Sequence, residues 1–83
     1  MKLLYFARLR QAVGIGEEDV ELPPEVKTVA DVIQWLKTRD EVFELAFHDL
    51  RTIRSAVNQA HVAFDTPIAE AKEIAFFPPV TGG

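Results

Sequence analysis

Three observations predict an α+β fold, a mixed sheet of about five strands with helices covering one face. The first and last strand-like segments are apolar on both faces, a capped amphipathic helix lies between them, and the segments after that helix alternate with a period of two. Residues 2–7 are rich in β-formers, and a strand there sends Leu3 and Tyr5 to one face and Leu4 and Phe6 to the other. Residues 8–13 have room for a short helical stretch before Gly14-Ile15-Gly16 turns the chain. Residues 19–22 then alternate polar and apolar, as a half-exposed strand does, until Pro23-Pro24 stops it.

Thr28 followed by Asp31 is a variant of the capping box, and Val29, Val32, Ile33 and Leu36 share one helical face. Val42, Phe43, Ala46 and Phe47 predict a second short helix that ends near His48-Asp49. Beyond it the period shortens, with Ile53, Ser55 and Val57, then Val62 and Phe64, then Ile74 and Phe76 each on one face of a strand. Asn58-Gln59, Asp65-Thr66-Pro67 and Glu70-Ala71-Lys72 supply the connections. The strand and main-helix order is ββαβββ, and two apolar end strands lying side by side in mid-sheet make it a β-grasp, or ubiquitin-like, fold. Residues 1–77 form that domain. Residues 78–83, Pro78-Pro79-Val80-Thr81-Gly82-Gly83, cannot join a sheet interior and are expected to project as an extended tail.

Composition removes several classes of function. Eighty-three residues hold one small core, with an expected radius of gyration of about 12 Å, and no separate catalytic domain. Nine basic against thirteen acidic residues leave a net charge of −4, the wrong sign for gathering phosphates, so nucleic acid is not an expected partner. The absence of cysteine excludes disulfides, cysteine nucleophiles and thiolate metal sites. No apolar run approaches a membrane span, and Arg8 interrupts any signal-like start, so no membrane association and a cytoplasmic location are expected.

Residues that could carry chemistry are few. His48 and His61 have no second histidine or carboxylate at a metal-ligand spacing, and Gly14-x-Gly16 runs into Glu17-Glu18-Asp19, which would repel a phosphate. The neighbours Phe76 and Phe77 are more informative, because consecutive strand side chains leave opposite faces. With Ile74 and Phe76 inward, Ala75 and Phe77 face outward, and the same parity turns out Leu4 and Phe6, joined by His61 and Ala63. An apolar patch of this kind beside the tail is expected to dock a partner. In the tail, two prolines bias the backbone away from helix, and six residues at about 3.3 Å each reach roughly 20 Å. Gly82 and Gly83 lack Cβ atoms, so the end can pass a narrow channel and leave the terminal carboxyl open to attack. That carboxylate is a poor electrophile until an external enzyme couples it to AMP. A sulfur donor can then displace AMP and leave a thiocarboxylate, the sole thiolate-like nucleophile of a cysteine-free chain.

Ala56-Val57-Asn58-Gln59, Phe64-Asp65-x-Pro67 and residues 73–83, Glu73-Ile74-Ala75-Phe76-Phe77-Pro78-Pro79-Val80-Thr81-Gly82-Gly83, closely resemble the family of molybdopterin synthase small subunits (MoaD). Leu4-Tyr5-Phe6-Ala7 matches more loosely, and residues 17–54 match mainly in pattern. The resemblance implies a sulfur carrier, not an enzyme on its own, that binds no resident cofactor. Its Gly83 carboxyl would pass through a transient acyl-adenylate made from ATP by an E1-like enzyme (MoeB), then through a thiocarboxylate charged by a sulfur donor protein. The tail would enter the large subunit (MoaE) of a heterotetramer and deliver sulfur to cyclic pyranopterin monophosphate to form the molybdopterin dithiolene. Gly83 carries the reactive group under this reading, Val80, Thr81 and Gly82 contact the partner along the tail, and Phe6, His61 and Phe77 belong to the interface. His61 stands where relatives can have an aliphatic residue. Ala71 replaces a glycine common in the family's last turn, with a strain of order 1 kcal/mol if its φ is positive. A bare Gly-Gly end also suits a thiamine sulfur carrier or a protein modifier joined to lysines, and a sheet face with an idle tail would make a plain binding module.

Overall fold

The computed structural model describes residues 1–79, so Val80, Thr81, Gly82 and Gly83 lie outside it. Its elements are β1 (Lys2–Tyr5), α1 (Ala7–Val13), β2 (Glu17–Asp19), α2 (Val29–Arg39), α3 (Glu41–Ala46), a 3₁₀ turn (Leu50–Thr52), β3 (Arg54–Val57), β4 (Ala60–Val62) and β5 (Glu73–Phe77). The five strands form one mixed sheet in the order β2-β1-β5-β3-β4, with β1 and β5 parallel and the other neighbours antiparallel. This is the ubiquitin-like arrangement expected from two apolar end strands, and the radius of gyration is 11.8 Å.

The main helix begins where its capping residues dictate. Thr28 Oγ1 accepts from Asp31 N at 3.2 Å while Asp31 Oδ2 accepts from Thr28 N at 3.2 Å, so two otherwise unpaired amides are satisfied reciprocally. Val29, Val32, Ile33 and Leu36 are then fully buried against the inward residues of the sheet, Leu3, Tyr5, Ile74 and Phe76. The second helix packs Phe43 and Phe47 into an aromatic cluster with Tyr5 and Phe76, the Phe47–Phe76 centroids being 5.1 Å apart.

Besides β1, which stops at Tyr5 although residues 2–7 were expected to form a strand, two strand boundaries differ from expectation. The second strand is Glu17–Asp19, whereas residues 19–22 were expected to form it. Gly14 ends α1 in the left-handed conformation at φ 82°, and Tyr5 N donates to Gly16 O at 2.9 Å, so the chain rejoins β1 at once. The residue that β2 turns inward is charged: Glu18 accepts from Tyr5 Oη at 2.7 Å and from Arg39 at 2.8 and 3.1 Å, while Arg39 also lies over the Trp35 and Phe43 rings. Burial, then the contact with Glu18, pushes the Tyr5 phenol well up. Burial alone would raise the Glu18 carboxyl, but Arg39 and Tyr5 outweigh it and hold Glu18 below the ordinary range. The other difference is at Phe64, which lies beyond β4. Its carbonyl accepts from Ala30 N at 2.8 Å, so the backbone has left the sheet to meet the start of α2.

Candidate functional site

Away from the helices, the outward side chains of the sheet stand in three rows fixed by the strand registers. Asp19, Lys2 and Glu73 form the first row, and Glu17, Leu4, Ala75, Ala56 and His61 the second. In the third, Phe77 on β5 faces Arg54 on β3. Phe6 completes this row one residue beyond β1, because its backbone is still extended (φ −122°, ψ 155°) and its amide donates to Phe76 O at 3.1 Å. The face thus runs from a charged edge, through an apolar middle, to an aromatic end from which residue 78 departs.

The structure brings the predicted face residues together. His61 and Phe77 pack ring against ring with centroids 5.0 Å apart, and Phe6 is 46% exposed on the neighbouring strand's extension. Leu4, Ala75 and Phe77 are half-buried and Ala56 is buried, so the patch is seated on the sheet rather than scattered over it. Ala63 is exposed just past the end of β4. Pro78 and Pro79, the first two residues of the expected tail, are half-buried. Val80, Thr81 and Gly82, expected to contact a partner, and Gly83, expected to carry the reactive group, lie outside the described residues.

Two features of the site were not foreseen. Ile15 is 39% exposed and, with Leu4, Phe6, Arg10, Gly16 and Glu17, lines a shallow hollow of about 530 Å³ that continues the patch past β1. Its signal in the sequence was an apolar side chain held between two glycines. Ala7 adopts φ 54°, a left-handed conformation that costs a residue with a Cβ about 1–2 kcal/mol. The strain lets an outward Phe6 be followed at once by α1, whose Leu9 amide donates back to Phe6 O at 3.1 Å.

Elsewhere the motif residues serve the scaffold. Asn58 and Gln59 occupy the hairpin turn at φ 50° and 72°. The Asn58 side chain accepts from Lys72 N and Glu73 N at 2.8 and 3.2 Å and donates to Glu70 O, tying the β3–β4 turn to the start of β5. Ala71 carries no positive φ; its amide donates to Ile68 O at 3.0 Å in a turn that suits alanine, so the strain considered for it does not arise. Among the described residues, no group of three or more His, Asp and Glu side chains is placed to hold a metal, and no helix is long and apolar enough to cross a membrane.

Comparison with known proteins agrees with this geometry. The model of the ThiS family matches residues 3–83. The molybdopterin synthase sulfur carrier subunit of Escherichia coli (strain K12) is 39% identical, with 100% of this chain and 99% of that one covered. Its counterpart in Dictyostelium discoideum is 31% identical, covering 99% and 94% of the two chains. Among solved structures, the putative molybdopterin converting factor, subunit 1 from Pyrococcus furiosus superposes with a TM-score of 0.70 at 35% identity over 95% of each chain. SAMP1 from Haloferax volcanii has the same fold, with a TM-score of 0.71 at 24% identity over 99% and 97%. The chain belongs to the ThiS family, alongside the molybdopterin synthase sulfur carrier subunits.

Proposed function

We propose that this protein is the sulfur carrier of a molybdopterin synthase and works through its terminal carboxyl. The observation that carries the reading is the full-length similarity to named synthase carrier subunits, joined to an apolar face that ends at Phe77, immediately before the tail. The Gly83 carboxylate attacks the α-phosphorus of ATP on an E1-like enzyme of the MoeB type, releasing pyrophosphate and forming an acyl-adenylate. A sulfide equivalent from a donor protein then adds to the carbonyl carbon; the C–O bond to AMP breaks and a thiocarboxylate remains. Phe6, His61 and Phe77 meet the large subunit (MoaE), while Val80, Thr81 and Gly82 lead the thiocarboxylate to cyclic pyranopterin monophosphate. Two such deliveries supply the dithiolene sulfurs.

On this reading the chain divides at residue 77 into a docking body and a reacting tail. The chain has no cysteine, so no internal thiol competes for the activated carbonyl. This reading places the carrier in the cytoplasm. A variant with one residue added after Gly83 should fold and bind the large subunit yet support no cofactor synthesis, because the added residue displaces the reacting carbon. Intact-mass measurement after incubation with the activating enzyme and sulfur donor should show one oxygen exchanged for sulfur in the wild type and none in the extended variant. Normal synthesis by the extended variant would refute the proposal, as would an isopeptide ladder on lysines in place of the exchange.

A further inference from the structure

The docking face is electrically polarised along its strands, and the polarity says what the partner must present. The row farthest from the tail carries Asp19, Lys2 and Glu73, and Glu17 beside it is paired with Lys2 at 3.5 Å. At the tail end the charge reverses. Arg54 stands directly across from Phe77, and its Nη1 donates to Ile53 O at 3.0 Å and Arg51 O at 3.4 Å. Arg8 approaches the same segment from α1, with Nη2 donating to Thr52 O at 2.7 Å. Two guanidinium groups 46 positions apart in the sequence therefore converge on three successive carbonyls, those of Arg51, Thr52 and Ile53.

A guanidinium has five N–H donors in a rigid fork. Arg8 and Arg54 each commit one nitrogen to the backbone carbonyls, which hold the groups in place and leave most of the donors facing solvent. Among the described residues, neither arginine has a carboxylate within 4.0 Å; the nearby Asp49 is engaged by Arg51 at 3.0 Å. Arg10 lies farther along, in the hollow that it lines with Phe6, Ile15 and Glu17. A chain with four excess negative charges thus gathers, where its body ends at Phe77, arginines that have no carboxylate partner among the described residues. Held guanidinium groups of this kind suit bidentate carboxylates, and rim charges act mainly on the rate and orientation of encounter.

We infer that the protein surface receiving the tail carries Asp or Glu side chains beside its pocket mouth, and that Arg8 and Arg54 engage them and orient the carrier as it docks. The inference rests on the proposed function, which makes that surface the large synthase subunit. The test measures association of the carrier with that subunit by stopped-flow fluorescence at several sodium chloride concentrations. Wild-type association should slow as salt rises. The double variant Arg8→Gln/Arg54→Gln should associate roughly tenfold more slowly at low salt with a flatter salt dependence, and Arg8→Lys/Arg54→Lys should recover most of the rate. Melting curves on each variant check that loss of the carbonyl contacts has not unfolded the body. If the Gln pair unfolds, the single variants and the wild-type salt dependence carry the test. A complex whose association ignores salt, or that forms equally fast with the Gln pair, overturns this inference and leaves the proposed function standing. Failure of the wild type to bind the large subunit at any salt overturns the proposed function instead, and this inference with it.

Discussion

Replacing Glu18 by Gln should weaken the fold without altering the docking face. Glu18 is the one carboxylate turned inward from the sheet, where it takes the Tyr5 hydroxyl at 2.7 Å and a two-pronged Arg39 contact, its side chain only 19% exposed. Glutamine keeps the shape and one acceptor but loses the charge. The Tyr5 bond then falls from the charged class, worth about 1.5–3 kcal/mol, to the neutral class of about 0.5–1.5. Loss of the partly exposed ion pair adds a few tenths to about 1 kcal/mol. The sum is roughly 1.5 kcal/mol, which lowers the melting temperature of a domain this size by about 6–12 °C. The pH dependence identifies the cause. Because the folded state holds Glu18 below its ordinary value of 4.5, the unfolded chain binds the proton more readily. The contribution is therefore complete above that value and is lost as pH falls through the lower, folded value. Thermal unfolding of both proteins from pH 7 to pH 3 should show a gap that is widest at neutrality and closes in acid. A gap that stays constant with pH, or that is absent at pH 7, refutes the assignment of the stabilisation to the ionised carboxylate.

Two further outcomes test the turn and the patch. Gln59 sits at φ 72° with its side chain in only a 3.4 Å contact to Glu73, so Gln59→Gly should relieve about 1 kcal/mol and raise the melting temperature by about 4–8 °C in a calorimetric scan. An unchanged or lower value would show that the left-handed turn is not strained. At His61, exchange for leucine keeps the contact with Phe77 but removes two ring nitrogens that must be desolvated on docking. His61→Leu should tighten binding to the large synthase subunit several-fold by titration calorimetry, on the scale of about 0.8 kcal/mol per buried methylene. Unchanged affinity would place His61 outside the interface.

What could be read from the chain followed local rules. The α2 start needed only Thr28 and Asp31, its buried face only the spacing from Val29 to Leu36, and the outward set only the strict alternation of strand side chains from Leu3 and Ile74. What escaped depends on contacts distant in sequence. The β2 segment was misplaced because its inward residue is a glutamate, and nothing near position 18 announces that Arg39, 21 residues on, will accompany it inside. Phe64 alternated correctly with Val62 yet serves Ala30, since backbone pairing at the helix start overrides a side-chain pattern. The grip of Arg8 on Thr52 spans 44 positions, and the left-handed Ala7 has no glycine to advertise it.

The placement of the strain and of the aromatic cluster bears on why so small a body can serve a partner. Phe77 faces outward, but its chain neighbour Phe76 is fully buried and packs against Tyr5 and Phe47 at 6.2 and 5.1 Å. Strand β5 is paired with β1 as far as Phe76 and with β3 as far as Phe77, so the last residue before the tail is fixed by the β3 ladder and by a chain neighbour held in both ladders and in the aromatic cluster. A docking residue held this way loses little further freedom on binding, which spares part of the roughly 0.5–1.5 kcal/mol that each immobilised side chain otherwise costs. On the proposed function the same logic accounts for Ala7: a cost of about 1–2 kcal/mol in the free protein holds Phe6 outward, where the proposed partner would meet it. The body's rigidity and the tail's chemistry are then separable. On the proposed function, substitutions at Phe6, Phe77, Arg8 or Arg54 should act on the formation of the complex, and changes at Gly83 should act on turnover within it.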